Sequence, residues 1–552
     1  MTSDKLRIIP IGGVGEIGKN MMLLEYRDDI IIIDAGLKFP EEEMLGIDLV
    51  IPDITYLRDN RHKIRGLLLT HGHEDHIGAV PYILPEINIP IYATSLTRGL
   101  LGVKLKESAL TESTKIVTVE PGESVQLGCF KVEFFSVNHS IPDCVGLAIE
   151  TPLGVVVHTG DFKFDHTPVH GPPTDMAKLA ELGNRGVLAI LSDCIRVENP
   201  GYTPSERVVG QTFDNIFYRT VGRTIIATFA SNISRIQQII EVAYDHGRKV
   251  AVAGRSMENN VRVAADLGFL WIPEDTMVPI EQARKLPQDR MVFISTGSQG
   301  EPTSVLSRIA SNEHRHLKIT PGDMVIISAT PIPGNQTTVS RTIDNLCRLG
   351  ADVIYEPMMQ VHVSGHASQE ELKLMLNLVR PKYCMPIHCG YRHMVLYRNL
   401  AADLGIPPSN VICTDNGQVV EFGADGARLA ERVPAGLVLV DGLTVGEVGQ
   451  VVLRDRQLLA RDGVVVVVLA LDRETGRVVA GPDITTKGFV YTPEADGLLE
   501  SARQVVVEML NRSSTAEVEY SFITHKVKQA IGEYLYRQTG LRPLILPVIT
   551  EI

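Results

Sequence analysis

The feature that most constrains this chain is a dense run of metal-ligand residues directly after an apolar segment. Residues 64–70 (IRGLLLT) predict a buried strand, and the turn HGHEDH that follows contains His71, His73, Asp75 and His76. Imidazole and carboxylate groups without cysteine favour a catalytic site for zinc or manganese over a structural zinc site. Because the chain has only 16 histidines in 552 residues, three within one six-residue turn are hard to attribute to chance.

Further ligand candidates lie at the ends of three other predicted strands. His139 follows the strand-like segment 130–137, Asp161 follows a strand in HTGD, and His388 follows one in PIHCG. Any one of them alone would more often be a structural polar residue. Three such residues, all at strand ends, favour a shared site where those ends meet. We therefore predict an α/β sandwich with a metal site at the edge of its sheets.

An inserted domain is indicated by strand-like segments between residues 205 and 350. Each segment ends in a turn rich in Ser, Gly, Asn or Pro, which is typical of a second α/β region. The predicted strands are Thr224–Phe229, Lys249–Val252, Met291–Ser295 and Met324–Ser328. Two later segments, Asp352–Glu356 and Tyr383–Ile387, then resume the pattern of the first region. A pattern that is interrupted and resumed indicates an insertion.

The length of the chain predicts several domains rather than one core. The predicted borders are 1–204 and 351–422 for the sandwich, 205–350 for the insertion, 423–445 for a linker and 446–552 for a small C-terminal α/β domain. In the C-terminal domain we predict helices over Leu498–Leu510 and His525–Arg537, and a strand over Pro543–Ile549.

Composition indicates the cellular compartment of the protein and the class of partner that it binds. The longest apolar run, Val464–Leu471, is far shorter than the roughly 20 residues that span a bilayer. The seven cysteines are odd in number and form no CxxC pair, so we expect reduced thiols in a cytoplasmic protein. The net charge of −13 argues mildly against nucleic acid, although bound divalent cations would supply positive charge locally.

The motifs HGHEDH, HTGDF and the His139 and His388 segments resemble the metal motifs of the metallo-β-lactamase superfamily. The resemblance implies two metal ions held by seven side chains: His71, His73 and His139 on one, Asp75, His76 and His388 on the other, and Asp161 between them. It also implies that Asp34, in IDAG, supports the histidine turn without binding metal. Zn²⁺ is the ion we favour, with Mn²⁺ or Mg²⁺ as alternatives. Two such ions would activate a water that Asp75 orients.

The inserted region resembles the β-CASP domain, which marks the nucleic-acid-processing branch of that superfamily. Its three motifs are matched by Asp193 in LSDC, His366 in HVSGHAS and His388, and a histidine at the third position is typical of RNA enzymes. The implied fold is an αββα sandwich with an inserted β-CASP domain and a small C-terminal α/β domain. His366 is the implied general acid for the leaving 3′ oxygen, oriented by Asp193. Phosphate binding by His366 is the alternative.

Within that branch, ATFASNISR, STGSQGEP, SATPIPGN, HVSGH and the ending RPLILPVITEI resemble the ribonuclease J family over nearly the whole chain. The resemblance implies a 5′-to-3′ exonuclease of single-stranded RNA with some endonuclease activity, preferring 5′-monophosphate ends, in RNA decay and maturation. The implied substrate-binding residues are Ser231, Asn232, Ile233, His362, Val363, Ser364, Gly365 and His366, with turn capping as the alternative role. One departure is Cys194-Ile195-Arg196, where we expect smaller polar residues.

The same resemblance implies partners and one further ion. We expect a homodimer or a higher oligomer assembled through the C-terminal domain, other RNA-decay proteins as partners, and no membrane association. A calcium-like structural cation is implied near Asp48 and Asp441, with ordinary loop aspartates as the alternative. The competing functions are a DNA-processing β-CASP nuclease, an inactive RNA-binding subunit and a small-molecule hydrolase. The complete ligand set and the inserted domain argue against the last two.

Overall fold

The computed structural model describes residues 4–41, 43–283, 285–301, 303–332, 335–442, 444–472, 478–490, 492–512 and 520–552. Parts of two motifs noted above, Pro302 and residues 333–334, lie outside the described residues. The chain separates into two compact units, Met1–Phe39 with Leu49–Val438, and Pro40–Asp48 with Leu439–Ile552.

The first unit consists of strands and helices that alternate for most of its length. Its strands are β1 Leu6–Gly12, β2 Val14–Gly15, β3 Met21–Tyr26, β4 Asp29–Ile33, β5 Leu49–Pro52, β6 Ile64–Leu68, β7 Ile91–Ala93, β8 Ile116–Thr118, β9 Ser124–Leu127, β10 Phe130–Ser136, β11 Val145–Thr151, β12 Gly154–His158, β13 Val187–Asp193, β14 Thr224–Ala227, β15 Lys249–Ala253, β16 Met291–Ser295, β17 Met324–Ile327, β18 Asp352–Ile354, β19 Pro381–Ile387, β20 Cys389–Gly390, β21 Gln418–Gly423 and β22 Gly426–Arg432.

The helices of the first unit lie between these strands. They are α1 Thr55–Asp59, α2 Glu74–Ile77, α3 Val80–Ile83, α4 Ser95–Glu107, α5 Met176–Arg185, α6 Arg207–Arg219, α7 Ile233–Asp245, α8 Arg255–Asp266, α9 Ile280–Ala283, α10 Val305–Ala310, α11 Gln336–Arg348, α12 Gln369–Val379 and α13 Tyr391–Asp403. Short 3₁₀ turns occur at Arg61–Lys63, Thr111–Ser113, Gln288–Arg290 and Pro408–Asn410.

Two large sheets form the sandwich. In the described part of the unit, one has eight strands in the order β22-β21-β1-β3-β4-β6-β7-β8, and the other has six in the order β19-β13-β12-β11-β10-β9. Their central strands, such as β3 and β11, consist largely of apolar residues and are mostly buried. Strands buried on both faces are expected where each sheet is covered on both sides. The strand predicted at 64–70 and the strand predicted before Asp161 both occur, as β6 and β12.

The inserted region forms a separate parallel sheet with the order β15-β16-β14-β17-β18. The predicted strands at 224, 249, 291 and 324 are all present within one or two residues of their predicted ends. The prediction for Asp352–Glu356 was wrong, because β18 pairs in parallel with β17 and is the edge strand of the inserted sheet. Helix α11 carries the chain from β17 to β18, so this segment completes a β-α-β unit before the sandwich resumes at β19.

The predicted linker also differs from the structure at its start. Strand β22 pairs with β21 in an antiparallel hairpin closed at Gly423 and Gly426, and thereby forms one edge of the eight-stranded sheet. Three of the seven residues of β22 are half-buried and the others are exposed. An edge strand of this kind has too few apolar residues for its periodicity to be recognised in the sequence.

The second unit has its own core. It contains β23 Leu437–Asp441 at its border, β24 Thr444–Val445, α14 Gln450–Asp462, β25 Val464–Leu471, β26 Val478–Lys487, α15 Thr492–Arg512, α16 Tyr520–Thr539 and β27 Leu544–Glu551. Strand β25 lies between antiparallel β26 and parallel β27. Alternate residues of β25, Val465, Val467, Leu469 and Leu471, pack into a cluster with Ala502 and Val506 of α15 and Val527 and Ile531 of α16. Both predicted helices and the predicted last strand are present, with longer bounds.

The seven cysteines are all free thiols, as expected. Of the helices in the described part of the chain, none has the length and apolar character that crossing a bilayer requires.

Candidate metal centre

The site forms where the carboxyl ends of several strands meet. His71 to His76 follow β6, Asp161 follows β12, and His388 follows β19 directly. Strands β12, β13 and β19 are parallel neighbours in one sheet, so their carboxyl ends open on the same edge. Asp193 is the last residue of β13 and lies between the other two ends. Candidates that are widely scattered along the sequence are thereby brought into one cavity.

Three imidazoles form the first cluster. His73 Nδ1 lies 3.1 Å from His71 Nε2 and 3.1 Å from His139 Nε2. One ring nitrogen from each of the three lies within 4.8 Å of the others, a spacing that suits ligands of a common ion. His71 and His139 are buried and His73 is partly buried.

Asp161 connects this cluster to the second one. Its Oδ2 lies 3.7 Å from His71 Nε2, 3.7 Å from His139 Nε2 and 3.2 Å from His76 Nε2, while its Oδ1 lies 2.9 Å from His388 Nδ1. His388 Nε2 in turn lies 3.2 Å from Asp75 Oδ2. The donors of Asp75, His76 and His388 form a second group within the same 4.8 Å limit. One buried carboxylate therefore faces both groups, which is the arrangement of a bridging ligand.

The protonation of the two groups differs. Burial lowers the pKa of His71 and His139 well below the usual value for histidine, and that of His73 to about 4. Burial also opposes charge on His76 and His388, but the carboxylates of Asp161 and Asp75 raise the pKa of both well above the usual value. The first cluster therefore presents neutral imidazoles, the form that binds metal, at neutral pH.

The donor set fits a pair of divalent cations. Three neutral imidazoles have nitrogen atoms facing one another at about hydrogen-bond distance, a contact that a shared cation would stabilise. His388 Nε2 is buried and lies 3.2 Å from Asp75 Oδ2, but it makes no hydrogen bond of normal geometry, so this nitrogen is left available as a metal ligand within the cluster. Mixed nitrogen and oxygen ligands without cysteine suit Zn²⁺ or Mn²⁺ equally.

Asp34 supports the histidine turn, as the sequence predicts, by contacting Thr70 and the ring nitrogen of His76 that does not face the other ligands. Its Oδ2 lies 2.8 Å from His76 Nδ1 and accepts from Thr70 Oγ1 at 2.9 Å, and its Oδ1 accepts from the Thr70 backbone N–H at 2.8 Å. A carboxylate acceptor on Nδ1 leaves His76 Nε2 free to face a metal. Asp34 has φ of 59° and His388 has φ of 51°, values that non-glycine residues seldom adopt. The backbone is therefore strained at one residue that supports the site and at one of its candidate ligands.

Asn20 is part of the site although no sequence pattern pointed to it. Its Nδ2 lies 3.1 Å from His76 Nε2, and it donates to the Asp75 backbone carbonyl at 3.1 Å. An asparagine in a glycine-rich turn is an ordinary turn residue by sequence, so only the folded structure brings it to the ligands.

His366 and Asp193 form a pair beside the metal donors. His366 Nδ1 lies 2.8 Å from Asp193 Oδ2, and its ring centre lies 4.7 Å from that of His139 and 5.4 Å from that of His388. The loop before His366 passes so close to His139 that the Gly365 carbonyl accepts from His139 Nδ1 at 2.8 Å. A Cβ added at Gly365 would lie 2.6 Å from His139 Nδ1 and 2.8 Å from the Ser140 backbone nitrogen, so glycine is required there.

The predicted substrate-binding segments, 231–233 and 362–366, are joined by Arg235, a residue that the sequence did not mark as functional. Its guanidinium is fully buried, pairs with Glu206, and donates to His362 Nδ1 at 2.6 Å and to the Val363 carbonyl at 3.3 Å. Asn232 caps helix α7, since its Oδ1 accepts from the Arg235 backbone N–H at 3.1 Å. Capping, the alternative role, is therefore one role of Asn232. Ser364 Oγ accepts from the His366 backbone N–H at 3.2 Å.

Asp48 and Asp441, the candidates for a structural cation, both lie in the second unit. Asp48 Oδ2 accepts from the Gly442 backbone N–H at 2.8 Å, and Asp441 is ion-paired with Arg456. Neither aspartate belongs to any of the four metal-ligand groups found among the described residues.

Family models match four stretches of the chain. They are "Metallo-beta-lactamase superfamily" over residues 14–199, "Ribonuclease J, beta-CASP domain" over 221–346, "Zn-dependent metallo-hydrolase RNA specificity domain" over 351–411 and "Ribonuclease J C-terminal domain" over 451–552. Together they confirm the predicted fold class, a metallo-β-lactamase domain with a β-CASP insertion and a C-terminal domain.

Several relatives match over the full length of the chain. Ribonuclease J2 of Bacillus subtilis is 43% identical over 551 residues, covering 100% of this chain and 99% of that protein. Ribonuclease J of Thermus thermophilus is 42% identical over 555 residues, covering 99% and 96%. A crystal structure of a protein of unknown function from Enterococcus faecalis V583 covers 76% of this chain and 100% of that one, with a TM-score of 0.56 and 16% identity, which is a likeness of fold alone.

Proposed function

Because the chain belongs to the ribonuclease J family and is a metal-dependent ribonuclease, we propose that it degrades single-stranded RNA from the 5′ end with two divalent ions. We include some endonuclease activity, a preference for 5′-monophosphate ends, and a role in RNA decay and maturation. The observation that carries the proposal is that one buried carboxylate, Asp161, faces two separate groups of metal donors.

Some residues of the chain would bind the metal ions, and others would orient water or transfer protons. His71, His73 and His139 would hold one ion, Asp75, His76 and His388 the other, and Asp161 both. When bound, the ions supply a water of lowered pKa and positive charge opposite the phosphodiester oxygens. Zn²⁺ is our first choice, and Mn²⁺ or Mg²⁺ would occupy the same donors. Asp75, the more exposed of the carboxylate ligands, is placed to orient the attacking water.

His366 is our candidate for the general acid. A carboxylate can only accept, so the contact with Asp193 Oδ2 places a proton on His366 Nδ1, and in the doubly protonated ring Nε2–H gives its proton to the leaving 3′ oxygen. The ring lies beside both metal-ligand groups, which is where a leaving group would stand. Asp193 acts by positioning this ring.

The proposed preference for 5′-monophosphate ends is supported by residues 231–233 and 362–366, the two segments that Arg235 connects. The amino terminus of α7, which Asn232 caps, lies near His362, because Arg235 in the first turn of this helix donates to His362 Nδ1. Helix amino termini and imidazole N–H groups favour phosphate. We propose that a monophosphorylated 5′ end is bound there, one or more nucleotides from the metal donors.

A comparison of 5′ ends tests this function. Matched single-stranded RNAs with a 5′-monophosphate or a 5′-triphosphate, and DNA of the same sequence, are incubated with the metal-loaded protein. We expect mononucleotides released from the 5′ end, faster for the monophosphate, with little cleavage of DNA. The His76→Ala variant should be inactive but folded. Equal rates on both RNAs would remove the 5′ pocket, and cleavage by metal-free protein would remove the mechanism.

Assembly into a homodimer or higher oligomer is the second part of the proposal. On the three-stranded sheet of the second unit, Val468, Leu546 and Val548 are 41–48% exposed, while the alternate residues of these strands face the helices. An apolar sheet face open to water is typical of an interaction surface. Sedimentation of the wild type and of the Val548→Lys variant tests it: the variant should shift toward the monomer, and an unchanged mass would place the interface elsewhere.

A further inference from the structure

Arg196 is the residue that departs most from the pattern expected after Asp193, and burial lowers its pKa more than the carboxylates of Glu356 and Glu371 raise it. Its guanidinium makes no ion pair within 4.0 Å and no side-chain hydrogen bond with any described residue. Its Nε is buried and unsatisfied. A partly buried guanidinium without a partner is costly, because burial removes solvation that nothing in the protein replaces.

The turn that carries Arg196 is tied to the general-acid pair. Asp193 uses one oxygen for His366 and the other to accept from the Ile195 backbone N–H at 3.0 Å. On the far side, Gln369 Nε2 donates to the Val197 carbonyl at 2.9 Å, and the Gln369 backbone N–H donates to the Asn199 carbonyl at 3.0 Å. The backbone of the turn that carries Arg196 is therefore fixed between Asp193 and the segment that leads from His362 to α12.

Two other cations that face His362, Arg235 and Lys163, already have partners. Arg235 is paired with Glu206 through two contacts, and Lys163 lies 3.5 Å from Asp165 and donates to the Pro204 carbonyl. Arg196, like Arg235 and Lys163, lies close enough to His362 to lower the pKa of that histidine, although burial is the larger cause. Of the two carboxylates that raise the pKa of Arg196, Glu371 is occupied by backbone N–H groups and Glu356 accepts from Thr330.

We propose that Arg196 binds a phosphate group of the RNA strand on the 5′ side of the scissile bond, and that this phosphate is its missing counter-ion. The proposal deepens the function proposed above and rests on it for the identity of the ligand as RNA. A guanidinium presents a planar fork of donors that matches two phosphate oxygens. In a chain of net charge −13, a local unpaired cation is also what would draw a polyanion to this edge of the site.

Binding without cleavage provides the test. Full-length protein is freed of metal with a chelator, and its affinity for a labelled ten-nucleotide RNA is measured by fluorescence anisotropy over a range of salt concentrations. The RNA carries either a 5′-monophosphate or a 5′-hydroxyl. The variants are Arg196→Gln, Arg196→Lys, and Arg262→Gln as a control, since Arg262 is an exposed arginine on α8.

We expect Arg196→Gln to bind about tenfold or more weakly, with the slope of log affinity against log salt reduced by about 0.7. Arg196→Lys should recover part of the loss, because it restores charge without the fork. Loss on the 5′-monophosphate RNA alone would assign Arg196 to the terminal phosphate, and equal loss on both RNAs would assign it to an internal one. The control should stay within about twofold of the wild type.

Affinity and salt slope for Arg196→Gln that match those of the wild type on both RNAs would overturn the proposal. The thermal transition of each variant is measured alongside, and Arg196→Lys, which retains the charge, keeps the test valid if the glutamine variant unfolds. Failure of the proposed function is distinguishable, since it would appear as metal-loaded wild type that binds RNA but does not cleave it.

Discussion

Glu371 offers a sharp test of how the fold holds the general acid in place. Its side chain is fully buried, and its carboxylate accepts three backbone N–H groups: Phe164 at 2.8 Å, Thr203 at 2.7 Å and Ser368 at 2.8 Å. Thr203 Oγ1 in turn donates to the His366 carbonyl at 2.7 Å. One carboxylate therefore joins the loop after Asp161, the loop before α6 and the loop that carries His366.

The perturbation is Glu371→Gln, which keeps the shape and removes one acceptor. If the amide oxygen keeps the Thr203 and Ser368 N–H groups, the amide NH₂ faces the Phe164 N–H, and two donors then oppose each other in a buried place. The variant loses one charge-assisted hydrogen bond, weakens two more and leaves a buried donor unsatisfied. We expect a local cost of about 3–5 kcal/mol.

Hydrogen exchange with mass spectrometry measures this local loss of stability in the peptides where it occurs. Protection of the peptides that contain Phe164, Thr203 and Ser368 should fall by about 10²–10³-fold, since each 1.4 kcal/mol is about a factor of ten. RNA hydrolysis should fall with it, because the His366 loop is released. The control is Glu370→Gln at the preceding position, where the partly exposed carboxylate pairs with Lys373 and the expected change is within about 0.5 kcal/mol. Equal protection in the two variants would refute the reasoning.

Three further predictions concern the metal donors and the acid. Asp34→Asn should weaken metal binding by about 10–100-fold, because His76 loses the carboxylate that orients it. Competition with a chelator measures the affinity for metal, and an unchanged affinity would contradict this role of Asp34. His366→Ala should slow RNA hydrolysis by about 10²–10⁴-fold. The same variant should hydrolyse a p-nitrophenyl phosphodiester of a nucleoside at nearly the wild-type rate, because that leaving group needs no proton. Equal losses of rate on both substrates would contradict the role of general acid. Because carboxylates raise the pKa of His76 and His388, metal binding to these residues should release protons and become stronger as pH rises. The His71 cluster, whose pKa values are lowered, should still bind metal at lower pH. Calorimetry in buffers of different ionisation enthalpy should detect the released protons, and a heat of binding that does not depend on the buffer would contradict this prediction.

The parts of the fold and site that could be predicted have strong local signals. The histidine turn after β6 and the single polar residues at the ends of β12 and β19 follow buried strands, and parallel strands bring such ends together. The prediction for Asp352–Glu356 was wrong because the same alternation of strand and helix fits either sheet, and only pairing with β17 decides between them. Local pattern determines the type of an element far better than its sheet.

The supporting residues of the site could not be predicted in the same way. Arg235 lies within an amphipathic helix, where an arginine is normally on the solvated face, and its burial depends on Glu206 approaching from another element. Asn20 meets His76 only after folding. Glu371 is the exception, since Ser368 and Glu371 have the spacing of a capping box, and that box does form at the start of α12.

The central claim is that Asp161 and the six side chains around it hold two divalent ions. Anomalous diffraction from crystals grown with Mn²⁺ tests it most directly. We predict two peaks, one within ligand distance of His71, His73 and His139 and one within ligand distance of Asp75, His76 and His388, with an Asp161 oxygen on each. A single peak, or peaks that lie away from Asp161, would contradict the two-ion centre.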